Sequence, residues 1–220
     1  MGWAAPTARS HAVRLIRAGF IDRTTTTHGG ESLQFATRRG LDMVKLEAAH
    51  LASPPAPTTW AHHAACAWTA AWLTARGRTM VGPRELLATS EWLAEVQWTE
   101  RHGVRRRGHR PDLIGGTGRG GPLLPIEVEL AVKSTQRLRA ILGLHARWIT
   151  TGKARAVIYI CATAKVAERV SDEAQQVGLT AEHTTLRVEL LDTIRAAAIT
   201  AREAHPAEAP EVADPTARSA

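Results

Sequence analysis

The run LLPIEVELAV at 123–132 constrains the fold more than any other part of the chain. Ile126, Val128 and Leu130 alternate with Glu127 and Glu129. A period of two describes a β-strand with one apolar face and one acidic face. Just upstream, Gly116, Gly118 and Gly121 satisfy the G-x-G-x-x-G spacing of dinucleotide-binding loops. That fingerprint needs a helix directly after the glycines, because the helix N-terminus holds the pyrophosphate. Pro122 and a strand follow instead, so the glycines are read as the turn of a hairpin, and a nucleotide-binding enzyme is the weakest reading.

A turn centred near Arg119 and Gly120 brings Asp112 roughly opposite Glu127, and period two puts Glu129 on the same face. Three carboxylates so close repel one another unless a cation lies between them. An oxygen-only set of this kind suits a hard ion such as magnesium or manganese. The alternative is a solvent-facing strand that happens to carry two glutamates.

Charge favours a polyanionic partner. Among 220 residues, 28 Lys and Arg stand against 21 Asp and Glu, for a formal charge of +7. The run RHGVRRRGHR at 101–110 lies directly before the hairpin. Charge runs are usually solvated loops. Beside the acidic cluster this one is read as contacting phosphates through Arg105, Arg106, Arg107 and Arg110. The two cysteines, Cys66 and Cys161, fall in a helix-like and a strand-like run, so a disulfide framework is not expected. No stretch approaches the ~18 apolar residues of a bilayer span. A soluble, cytoplasmic protein with no membrane partner is the expectation.

Within Ser10–Val44 the spacing of Val13, Leu15, Ile16 and Phe20 predicts a short helix capped by Gly19. FIDRTTTT and ESLQFAT then form a hairpin around His28, Gly29 and Gly30, and a second helix opens at Arg38. Over residues 1–50 this order resembles the back half of a winged helix-turn-helix domain. Too little chain precedes Ser10 for the first helices, so either the start lies upstream or the module is partial. The resemblance implies that His11, Arg14 and Arg17 approach DNA while the wing follows its backbone. The alternative is a helix and hairpin used for packing or for forming a homodimer.

LASPPAPT at 51–58 reads as a linker, and residues 59–195 as the main domain. A helix with Trp60, Ala64, Trp68 and Trp72 on its core face opens that domain. His62, His63 and Cys66 lie in it at spacings that could bind zinc. Nothing elsewhere supplies a second ligand pair at a finger-like spacing, so the helix is read as core. A second helix is expected from Pro83 through Trp98. After Ser134, a helix buries Leu138, Ile141, Leu142 and Trp148 and leaves Arg137, Arg139 and Arg147 to meet a DNA backbone. The strand ARAVIYICA, a helix over 165–176 and the strand LRVELL complete an α/β core. Residues 196–220, rich in Ala and Pro, are expected to be disordered.

Pro111-Asp112, a hairpin, Glu127-Val128-Glu129 and Lys133 together resemble the PD-(D/E)xK nuclease superfamily. More narrowly, RPDLI, IEVELAVKSTQRLRAIL and VIYIC are similar to actinobacterial replication-relaxation-type proteins. The resemblance implies a restriction-endonuclease-like core, a mixed sheet flanked by helices. It also implies that Asp112 and Glu127 bind Mg2+ or Mn2+. Glu129 occupies the position of the usual lysine, as a further ligand or a general base, and Lys133 is the candidate to reach in from the next helix. Glu85 matches the place of an extra acidic ligand. The implied activity is metal-dependent hydrolysis of DNA. The alternative is a non-catalytic DNA-binding accessory or regulatory protein of plasmid or mobile-element replication or transfer.

Overall fold

A computed structural model describes residues 5–25, 32–45, 56–117, 121–183 and 185–204. The proposed linker at 51–55, the glycines at 118 and 120, the HisGlyGly turn and the tail beyond 204 lie outside the described residues.

The N-terminal part is helix, hairpin, helix. Helix α1 (Ala5–Arg17) ends at Gly19, whose φ of 72° lies in the left-handed region that glycine adopts freely. Strands β1 (Ile21–Thr25) and β2 (Ser32–Ala36) pair antiparallel, and Thr37 caps α2 (Arg38–Met43) by accepting from the Gly40 N–H. Thr37 also donates its hydroxyl to the Gly19 carbonyl, at 2.6 Å, which ties the second helix to the end of the first. The expected order is therefore present. Val13 and Leu15, whose spacing marked the helix, are exposed, at 39% and 41%.

The main part is a five-stranded mixed sheet flanked by helices. Its strands are β3 (Thr79–Val81), β6 (Leu113–Gly116), β7 (Leu124–Glu129), β8 (Val157–Cys161) and β9 (Leu186–Leu190), in that spatial order. β6 pairs antiparallel with both β3 and β7; β7, β8 and β9 are parallel, joined by crossovers through α5 (Thr135–Thr150) and α6 (Ala164–Gln175). The glycine run leads into β7 rather than into a helix, as the alternation required.

Period two decides which side chains meet which layer. Ile126, Val128, Ile158 and Ile160 pack against α3 (Trp60–Thr74) and α7 (Leu191–Ala204). Val157, Tyr159 and Cys161 face the other way, onto α5 and α6. Glu127 and Glu129 share that second side, and both are buried. The acidic face of the strand is therefore inside the protein, where carboxylates need partners.

Two expectations are corrected. The helix at Pro83 ends at Leu87 (α4), and Ala94–Glu100 is a strand, β4. Thr89 and Ser90 break the helix, and Val96 with half-buried Ala94 and Trp98 alternates with more polar neighbours, a strand pattern. β4 pairs with β5 (Gly103–His109), which carries the arginine run. Gly103, at φ 119°, makes the turn between them. At the C-terminal end, α7 continues to Ala204, with Leu191 and Ile194 in the core, so the boundary expected at 195 cuts through a packed helix. Among the described residues no helix is long and apolar enough to cross a membrane.

Candidate functional site

Asp112 stands just before β6 and is clasped to β7. Its N–H donates to the Ile126 carbonyl at 3.1 Å, and its Oδ2 accepts from the Val128 N–H at 2.8 Å. Those bonds set it beside Glu127, as the hairpin register predicts. Its Oδ1 lies 2.9 Å from His62 Nε2 on α3. The Asp112 hydrogen bond, aided by Cys66 and opposed by burial, holds the His62 imidazolium up to a pKa of about 10.

Glu127 is 2% exposed, and its Oε1 accepts from His109 Nε2 at 2.8 Å. Burial by itself would raise this carboxyl. The charge and hydrogen bond of His109, together with His145, outweigh burial and hold it below the usual carboxylate range. His145, fully buried on α5, sets Nε2 3.3 Å from the same oxygen without the alignment of a hydrogen bond. Its Nδ1 lies 3.1 Å from the Tyr159 hydroxyl. That hydroxyl can donate to one tautomer or accept from the other, so it supports His145 in either state. Burial lowers the pKa of His145 and raises that of Tyr159, which favours neutral forms of both.

Glu129, also buried, accepts from Lys133 Nζ, four residues on. Burial raises its carboxyl above the usual value, against the pull of Lys133, and the charges of Glu127 and Asp112 add to the rise. The expected oxygen-only cluster is thus replaced by carboxylates each paired to a basic side chain. Among the described residues, two groups place one donor atom per residue within 4.8 Å of one another: His109, Glu127 and His145, and His62, Cys66 and Asp112.

Of these residues, His62, His109, Asp112, Glu127, Glu129 and Lys133 line a cleft of about 900 Å³. Its floor carries Asp112, Glu127 and Glu129; Arg105, Arg106 and Arg107 from β5, with Arg110, Lys133 and Arg137, complete a cationic wall. Arg110 donates to the Thr89 carbonyl at 3.0 Å, and Arg137 lies 5.8 Å over the Trp98 ring. Three of the expected site residues do not line the cleft. Glu85 folds back to accept from the Gly82 N–H at the start of α4 and does not line the cleft, because its own helix needs that cap. Arg14 and Arg17 are exposed on α1 and do not line it either.

His62, His109, His145 and Tyr159 were not expected at the site. His145 had a readable signal: it interrupts the buried stripe Leu138, Ile141, Leu142, Trp148 with a polar ring, and such a residue needs a partner. His109 was read only as part of the charge run at 101–110. Only the strand pairing of Ala94 with His109 shows that it closes a hairpin against the sheet.

No protein-family model, no curated protein and no solved structure matches the chain.

Proposed function

We propose that the protein is a metal-dependent DNA nuclease with a restriction-endonuclease-like core, preceded by a partial winged helix that helps to hold DNA. One observation carries the reading: Asp112 and Glu127 both line the floor of a cleft walled by arginines. A duplex or single strand brings phosphates to such a wall, and the wall steers them over the carboxylates.

The donor set fits a divalent ion. His145 Nε2 is buried, turned towards Glu127 and without a hydrogen-bond partner, as a ligand atom would be. Asp112 and Glu127 would hold Mg2+ or Mn2+, and the imidazoles of His109 and His145 favour Mn2+ over Mg2+. Such an ion supplies a lowered water pKa and positive charge beside the scissile phosphate. The chain's own residues do the rest. Glu129, with its raised pKa, takes a proton from the attacking water. Lys133 holds Glu129 in place and offers its ammonium to the phosphate oxygens, the part played by the lysine of the resembling superfamily. Arg106 and Arg107 fix the backbone on either side.

The test is cleavage of supercoiled, linear and single-stranded DNA with Mg2+ or Mn2+, with a chelator control and Asp112→Asn alongside. Metal-dependent cutting lost in the variant supports the proposal; equal cutting by both proteins rejects it.

A second reading has its own observation in favour. All three carboxylates are already met by basic side chains of the protein, His62, His109 and Lys133. A cleft neutralised in this way serves equally as a DNA-binding scaffold without turnover. In that reading the protein is a cytoplasmic accessory factor for replication or transfer of a plasmid or mobile element, and it binds DNA with or without metal.

A further inference from the structure

We propose that His62, Cys66 and Asp112 form a second metal site, for zinc or a similar borderline transition-metal cation, with an open coordination position towards the cleft. His62 and Cys66 are one turn apart on α3, which puts both on the same face of the helix. The helix alone lacks a third donor. The fold supplies it by carrying Asp112 to 2.9 Å from His62 Nε2, and one donor atom from each residue lies within 4.8 Å of the other two. Tetrahedral zinc, with bonds of about 2.0–2.3 Å, sets its ligand atoms roughly 3.3–3.7 Å apart, so side-chain movements of about 1 Å complete the site.

The frame around these donors is fixed. Cys66 is anchored in the core with Ala65, Trp72 and Leu73, and Asp112 is tied to β7 by its two backbone hydrogen bonds. A thiolate, an imidazole and a carboxylate select zinc or cobalt over magnesium or calcium. The set therefore differs in kind from the nitrogen and oxygen donors of His109, Glu127 and His145. Three protein ligands with an open fourth position are the pattern of zinc sites that meet a substrate or water, whereas structural sites are closed by four. His62 and Asp112 line the cleft and Cys66 lies behind them, so the open position faces the arginine wall. Binding displaces the Cys66 thiol proton and the proton shared by His62 and Asp112. Asp112 is shared with the nuclease reading, but none of this requires DNA or turnover, so the two readings fail separately.

The test is a Co2+ titration of the metal-free, full-length protein, followed by zinc competition. A thiolate-to-cobalt charge-transfer band that saturates stoichiometrically and is abolished by zinc is the expected result. Cys66→Ala loses the band, while Cys161→Ala and His109→Ala keep it. His62→Gln, at a partly exposed position, weakens cobalt binding and diminishes the band; it decides the matter should the buried Cys66→Ala protein fail to fold. Cobalt that binds without the band, a band that survives unchanged in Cys66→Ala or His62→Gln, or no cobalt binding overturns the proposal. The band with no DNA cleavage removes the nuclease reading alone, and cleavage with no band removes this one alone.

Discussion

His109 Nε2 donates to Glu127 Oε1 across 2.8 Å, tying the last residue of the arginine strand to a carboxylate buried in the central sheet. The strand that would meet DNA phosphates is therefore fixed to the floor of the cleft. Replacing His109 with Leu leaves a buried carboxylate short of its main partner, at a cost of about 3 kcal/mol. His109→Gln keeps a donor and should lose less. Urea unfolding of the two variants checks this order; equal losses would show that the hydrogen bond contributes nothing.

The His62–Asp112 pair sets a pH dependence in the metal-free protein. The folded chain keeps the His62 proton to about pH 10, whereas an unperturbed histidine releases it near 6.5. Between those values the native state binds more protons, so stability falls as pH rises. The pair's contribution is full below the lower value and is lost on passing through the upper one. Wild type should exceed His62→Gln in thermal stability at pH 6 and approach it near pH 10. Glu127 acts in the opposite sense. Its depressed pKa stabilises the fold above the ordinary carboxylate value and that contribution fades as pH falls below it.

Lys133 makes its contact with Glu129, so Lys133→Met should raise the Glu129 carboxyl further. With Glu129 as general base, cleavage falls by about 100-fold and the acidic limb of the pH–rate profile moves to higher pH. Lys133→Arg restores part of the rate. A rate loss without movement of the limb would show that Lys133 does not act through Glu129.

Arg106 and Arg107 line the cleft from an exposed strand. Each replaced by Ala should weaken DNA binding and reduce the slope of log K against log salt by about 0.9, one phosphate contact apiece. Glu85→Ala, away from the cleft, should leave both quantities unchanged.

Much of this architecture was legible where local pattern and burial agree. Alternation in 126–130 identified β7, and hairpin register placed Asp112 beside Glu127. Those signals depend on neighbours in sequence. Residues 83–98 failed because a proline start and scattered apolar residues suit a helix until β5 is there to pair with β4. The partners of the carboxylates were invisible for the same reason. His62, His109 and His145 come from a helix, a strand and another helix, and only the packing of those layers brings them to the carboxylates. His62 and Cys66 showed zinc-like spacing, but the ligand that makes them a candidate site, Asp112, is joined to them only by the fold.

The most direct test of the central claim is single-turnover cleavage of DNA in Mn2+ by wild type and Glu127→Gln, with DNA affinity measured for both under the same conditions. The account predicts cutting by the wild type, loss of at least about 1000-fold in the variant, and DNA affinity that remains. Cutting that survives in Glu127→Gln, or wild-type protein that binds DNA and never cuts it, would contradict the account.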